Sequence, residues 1–171
     1  MKSILSFCVF VLSINIQAGC PDTQDSFANR LYSLITTMEG EHNVGRCRII
    51  ARSKSFCSDG EKHLYSELNL QSKKGTHLFP FIYGSSIHSL EKLKYGSHRL
   101  RLRDTEKINR NRVFHDLNLE FSENYNSVRI SRLSYYYDTV SLIRRKVVYR
   151  EHCKGLSPWN PNKIKASFQS L

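Results

Sequence analysis

The chain has 171 residues, with 26 Lys and Arg against 15 Asp and Glu, and a formal net charge of +11 at pH 7. This is a common size for one domain with a core of its own. The sequence has no low-complexity segment, and one pair of similar alternating segments, 64–70 and 113–119, is too few for a repeat architecture. The charge favours an anionic partner such as an acidic polymer, a lipid headgroup or an acidic protein; the alternative is a charge that only keeps the protein soluble.

The first twenty residues have the layout of a secretory signal peptide. Lys2 supplies a positive start, an almost continuous apolar run follows, and Ala18 and Gly19 close the run with small side chains. The run is too short to span a bilayer as a helix. The sequence therefore predicts a signal peptide over 1–19 and a single exported domain over 20–171, periplasmic or secreted, with no transmembrane segment in the mature chain.

Removal of this leader leaves four cysteines, Cys20, Cys47, Cys57 and Cys153. An even number of cysteines in an oxidising compartment predicts two disulfides, although spacing alone does not fix their connectivity. A bond between Cys20 and Cys153 would close nearly the whole mature chain. Cys47 would then pair with Cys57, and we take this connectivity as the working hypothesis. The alternative is a lipoprotein anchored through an acylated Cys20, which would leave one thiol unpaired.

An N-terminal amphipathic helix is predicted by five apolar residues at helical spacing, Phe27, Leu31, Leu34, Ile35 and Met38. Gly40 is a suitable residue for its end. This helix is expected to cover one side of the fold.

Most of the remaining chain alternates apolar and polar residues, in runs near 47–52, 63–70, 77–83, 99–103, 113–121, 128–137 and 141–152. Such period-two runs joined by short turns predict a mainly β (α+β) fold, an antiparallel meander or small barrel of six to eight strands. Pro80 indicates an edge strand or a bulge. From about residue 155 the tail is expected to be irregular, with Trp159 at the edge of the core.

Two basic rows are candidate anion-binding residues, Arg99, Arg101 and Arg103 in one and Arg144, Lys146 and Arg150 in the other. Arginine rows beside aromatic residues can hold phosphates or sulfates. Alternatively, Asp116 and Glu120 on the next strand pair with the first row as an ordinary sheet surface. The second row has no comparable acidic neighbour in the sequence.

Seven histidines, His42, His63, His77, His88, His98, His115 and His152, raise the alternative of a small secreted hydrolase, ribonuclease-like or glycan-directed. No pair has a diagnostic spacing and no metal motif is present, so any catalytic residue is left unknown, and we predict no metal and no cofactor. His115 lies on the apolar side of its strand and is expected to be a hydrogen-bonded core residue. The other histidines are expected at surface or turn positions.

The leading interpretation is therefore an exported, disulfide-bonded, basic binding or structural module of the cell envelope or the extracellular space, rather than an enzyme. A further alternative is a ligand-carrying β-barrel, in which Leu68, Leu117 and Phe121 enclose an apolar molecule. The oligomeric state is left open by the sequence.

Overall fold

The computed structural model describes Cys20 and residues 26–73, 75–82, 88–108, 111–137 and 145–169. In chain order its elements are α1 (Ser26–Thr37), β1 (Gly40–Val44), β2 (Cys47–Ser58), β3 (Glu61–Ser72), β4 (Gly75–Ile82), β5 (His88–Lys92), β6 (His98–Ile108), β7 (Asn111–Phe121), β8 (Ser127–Tyr137), β9 (Arg145–Leu156) and α2 (Pro161–Gln169). The protein is therefore mainly β. The predicted signal peptide lies outside the described residues.

The strands form two antiparallel meanders, in which each strand pairs with the next one along the chain. Sheet A has the order β1–β2–β3–β4 and sheet B the order β5–β6–β7–β8–β9. Asp59 and Gly60, with φ of 54° and 78°, form the two-residue turn between β2 and β3, a connection that requires positive φ at both positions. The meander is as predicted, and β4, which contains Pro80, is an edge strand.

The number of strands differs from the prediction. The described residues contain nine strands in two sheets, where the sequence predicts six to eight in one meander or barrel. The alternation misses β1 and β5, because each has only five residues and three alternating positions do not stand out from chance.

Helix α1 forms where its apolar spacing predicts and buries Leu31, Leu34 and Ile35 completely. The core it helps to form lies between the sheets and draws on both helices. Inward-facing residues from the two sheets include Ile49, Ala51, Leu68, Leu70, Leu100, Leu117, Leu119 and Ile130. The positions proposed to enclose an apolar ligand belong to this packed cluster.

The tail is helical where the sequence predicts irregular chain. Asn160 caps α2, since its Oδ1 accepts hydrogen bonds from the backbone N–H of Asn162 at 3.0 Å and of Lys163 at 3.3 Å. Ile164 and Phe168 form the buried face. Nine residues with so few apolar side chains carry too weak a periodic signal for prediction.

Trp159 precedes α2 and is buried in the core, close to the place expected for it. Its Nε1–H donates a 3.2 Å hydrogen bond to the carbonyl oxygen of Met38, just beyond the last turn of α1. The indole therefore links the chain before α2 to the end of α1 by satisfying a carbonyl that α1 leaves unpaired.

The two sheets meet along a line that we call the seam. There β3, β4 and the β1–β2 turn of sheet A contact β7 and β9 of sheet B. The Ser72 hydroxyl lies 3.4 Å from that of Tyr149 on β9, and the His77 ring packs against the His115 ring of β7. Gly45 is required here, because a Cβ at this position would lie 2.7 Å from the carbonyl oxygen of Lys154. The seam thus brings the β1–β2 and β3–β4 turns against β9 and β7.

The disulfides join Cys20 to Cys57 and Cys47 to Cys153, with Cα–Cα distances of 6.0 and 5.9 Å. Two disulfides are as predicted, but the working connectivity is wrong. Cys47 and Cys57 lie at positions ten residues apart on the same strand, about 33 Å at the usual rise, so they cannot bond to each other. Cys153 reaches Cys47 because β9 passes the start of β2 at the seam.

Candidate anion-binding site at the seam

The first basic row, on the outward face of β6, is paired with carboxylates of its neighbouring strands. Arg99 bonds Glu120 at 2.8 Å and approaches Glu91 at 3.4 Å. Arg101 and Arg103 converge on Asp116 of β7, at 3.2 and 2.6 Å. The strand register brings these groups together, since Arg99 faces Glu120 and Arg103 faces Asp116 across the ladder.

Asp116 holds this row together from a buried position, with its side chain only 6% exposed. Burial alone would raise the pKa of its carboxyl group. The hydrogen bond from Arg103, and the charges of Arg103 and Arg101, outweigh that effect and hold the pKa of Asp116 below its usual value. The guanidinium groups are thus already bound to carboxylates within the sheet. That these three arginines bind a separate anion stays a prediction.

The outward face of β9 has a different environment. Arg150, His152 and Lys154 point outward at alternate positions, and all three are exposed. Their cross-strand neighbours on β8 are Leu133, Ser131 and Arg129, none of them acidic. Arg129 lies 3.9 Å from Glu120 of β7, and this carboxylate is already bonded to Arg99 of β6. We call Arg150, His152 and Lys154 the β9 row.

Two turns of sheet A bring further cations beside this row. Arg46 in the β1–β2 turn and Lys73 in the β3–β4 turn line a pocket of about 390 Å³ together with Arg150 and His152. Within the described residues, neither Arg46 nor Lys73 makes an ion pair. We call this the basic pocket. It exists only because the seam places turns of one sheet against a strand of the other.

One acid, Glu151, also lines the basic pocket, together with Cys153. Its Oε2 accepts a 2.7 Å hydrogen bond from the hydroxyl of Tyr149, two residues away on the inward side of β9. The Tyr149 ring in turn lies 4.0 Å beneath the guanidinium of buried Arg132. The hydrogen bond positions this carboxylate at the wall of the pocket without removing its charge. The three lining cations Arg46, Lys73 and Arg150 still outnumber this single acid.

The second predicted basic row is only partly represented at this site. Arg150 lines the basic pocket and Lys146 is exposed earlier on β9, whereas Arg144 lies outside the described residues. Arg46, Lys73, His152 and Lys154 were not predicted. Lys154 and His152 continue the alternation of Arg150, so the strand pattern could have indicated them; the turn residues are brought in by the seam, which no local pattern reveals.

Behind the seam, facing inward, lies a group that we call the inner cluster, His77, Asp104, Glu106 and His115. His115 is buried and its Nδ1 lies 2.8 Å from the Ser134 hydroxyl, which confirms the prediction of a hydrogen-bonded core residue. His77 is a correction, because it was expected at the surface or in a turn. Its side chain is instead only 16% exposed, on strand β4, and its ring centroid lies 4.0 Å from that of His115.

Both histidines of the inner cluster are held in the neutral form at neutral pH. Burial is the main cause for His77, assisted by the nearby His115 and Arg132, and the 3.3 Å contact with Asp104 only partly opposes it. The pKa of His77 is lowered to about 4. Burial also lowers the pKa of His115, against the opposing charges of Glu106 and Asp104.

The contacts of His115 resemble a serine–histidine–carboxylate line but do not suit a serine nucleophile. Ser134 is 3% exposed and lies deepest, whereas Glu106, 3.5 Å from His115 Nε2, has a side chain that is 56% exposed. Acyl transfer needs the hydroxyl at the substrate and the carboxylate behind the imidazole. Here the order is reversed, so Ser134 serves to orient the ring.

Other features limit the chemistry. Three candidate metal-ligand atoms within 4.8 Å of one another occur once among the described residues, on Cys47, Glu151 and Cys153, where both sulfurs belong to the disulfide.

Neither described helix is long and apolar enough to cross a membrane. No protein-family model, no curated protein and no solved structure matches the chain.

Proposed function

We propose that this protein is an exported binding module that holds a linear anionic polymer along the β9 row and in the basic pocket. The supporting observation is the contrast between its two basic surfaces. On β6 the arginines are bonded to Glu120 and Asp116, whereas the basic pocket collects cations beside a β8 face that carries no acid.

The spacing along β9 suits a repeating anion. Alternate residues on a strand are about 6.6 Å apart, so His152 and Lys154 present positive and hydrogen-bonding groups at a regular interval. Arg46 and Lys73 extend the charge at the seam end. Binding of this kind gains free energy from the release of counterions, which is why its strength falls with added salt.

Export is part of the proposal and is supported by the disulfides. Two bonds close the fold, and paired cysteines persist in oxidising compartments. In this structure the Cys20 sulfur is bonded to Cys57, so the thiol that a lipoprotein would acylate is already used. We therefore favour the soluble periplasmic or secreted form over the lipid-anchored one.

The test measures the affinity of the mature protein for a single-stranded thymidine oligonucleotide and for heparin at several salt concentrations. The variant Arg46→Gln/Lys73→Gln removes two cations from the basic pocket. We expect at least a tenfold loss of affinity, and a salt slope reduced by about 1.4 for the oligonucleotide.

The matched control Arg112→Gln/Lys163→Gln removes the same charge from exposed positions on β7 and α2. We expect it to change affinity less than twofold. Equal losses in the two variants would mean that net charge alone attracts the polymer, and an affinity insensitive to salt would overturn the proposal.

A further inference from the structure

The inner cluster combines the side chains that bind divalent transition metals, and it draws them from both sheets. His77 comes from β4 of sheet A, whereas Asp104, Glu106 and His115 come from β6 and β7 of sheet B. Two imidazoles and two carboxylates suit Zn²⁺ and similar ions better than Mg²⁺ or Ca²⁺, which prefer oxygen ligands alone.

Each imidazole has a carboxylate at the separation that shared coordination requires. His77 Nε2 lies 3.3 Å from Asp104 Oδ2, and His115 Nε2 lies 3.5 Å from Glu106 Oε2. Both Nε2 atoms are buried and have no hydrogen-bond partner. Two ligands of one tetrahedral zinc ion, each about 2.1 Å from the metal, are about 3.4 Å apart.

His115 is also prepared for coordination by its second nitrogen. The tautomer in which Nδ1–H donates to the Ser134 hydroxyl, 2.8 Å away, leaves the lone pair of Nε2 directed towards Glu106. Metal-binding histidines usually have their other ring nitrogen fixed in this way. A neutral imidazole is the form that binds a metal, and burial favours that form here.

We propose that the inner cluster binds one divalent transition-metal ion of the zinc class and thereby fastens the two sheets at the seam. The two carboxylates supply the charge that balances the ion. Arg132 lies over the Tyr149 ring, and its positive charge also acts on both histidines, so both carboxylates are needed. The four ligand atoms are not yet gathered, since no three of them lie within 4.8 Å of one another. Rotation of Glu106 and Asp104, the two more exposed members, closes the site around the ion.

The test uses untagged mature protein, freed of metal with EDTA and titrated with Zn²⁺ by calorimetry. We expect one ion per chain and a higher thermal unfolding midpoint with the metal present, because an ion bound only by the folded state stabilises it. With Co²⁺ in place of Zn²⁺, we expect the visible absorption of a tetrahedral site.

The variants distinguish this site from scattered surface histidines. His77→Gln is expected to weaken Zn²⁺ binding at least 100-fold, and Glu106→Gln, at an exposed position that the fold tolerates, at least tenfold. His152→Gln, an exposed histidine of the β9 row, is the control and should leave the affinity unchanged. The proposal is wrong if wild-type protein binds no Zn²⁺, or if Glu106→Gln binds Zn²⁺ as tightly as wild type. The Glu106 variant therefore tests the site even if His77→Gln does not fold.

Discussion

The His77 ring packs against the His115 ring across the seam, with centroids 4.0 Å apart and planes inclined by 33°. Each ring belongs to a different sheet, so this contact joins the two halves of the fold. Because desolvation keeps both rings neutral, protonating them as the pH falls should destabilise the seam.

In metal-free protein, the free energy of unfolding should fall as the pH is lowered from about 6.5 towards 4. The pKa of His77 is about 4 in the folded state and 6.5 by default in the unfolded chain, so the unfolded state binds the proton first. The stability that neutral His77 contributes is fully present above pH 6.5 and is lost as the pH falls to 4. The free energy of unfolding decreases by on the order of 3 kcal/mol at most over this range.

Urea unfolding in EDTA between pH 4 and 7.5 measures this dependence. His77→Gln should show a weaker dependence than wild type, since one of the two buried histidines is gone. His152→Gln, in which an exposed histidine is replaced, should keep the wild-type profile. A wild-type stability that does not change across this window would contradict the buried, neutral state of His77.

Asp116→Asn should destabilise the protein by about 2 to 4 kcal/mol. The change removes the charge that Arg101 and Arg103 share and leaves two like charges close together beside a buried amide. Chemical denaturation measures the loss. Glu41→Gln is the control, because the Glu41–Arg48 pair is about half exposed and is expected to contribute 1 kcal/mol or less. Equal effects would mean that the β6 row is not held by Asp116.

Removal of the Cys47–Cys153 bond should cost more than removal of the Cys20–Cys57 bond. The first joins residues 106 apart in sequence and the second residues 37 apart, so the entropic model gives a difference of about 1 kcal/mol. Double replacement of each pair by Ser, followed by thermal unfolding, compares the two.

Peptide mapping of the unreduced protein tests the connectivity itself. Intact mass should rise by about 4 Da on reduction, since two disulfides take up four hydrogens, and no acyl group should be present on Cys20. A peptide that links Cys20 to Cys153, or an acylated N-terminus, would overturn the structural assignment.

The mainly β architecture could be predicted because alternation along a strand is a local property. The buried series Leu64, Ser66, Leu68 and Leu70 on β3 follows its period-two pattern directly. Short elements such as β1 and β5, and the sparsely apolar α2, carry too few residues for the same signal.

The seam could not be predicted, because it is a relationship between distant segments. His77 and His115 are 38 residues apart, and nothing in their local sequences indicates that two sheets cross there. The same holds for Arg46 and Lys73, which look like ordinary turn residues until β9 is placed beside them. In contrast, the cross-strand acids of the β6 row were foreseeable from strand register alone.

The central claim, that anions bind at the β9 row and the basic pocket, is tested most directly by nuclear magnetic resonance. A ¹⁵N-labelled mature protein is titrated with a short heparin oligosaccharide while its backbone amide shifts are followed. We predict saturable shifts at Arg46, Lys73 and residues 150–154, with little change at 99–103. Shifts concentrated on the β6 face, or spread evenly over all basic surfaces, would contradict the account.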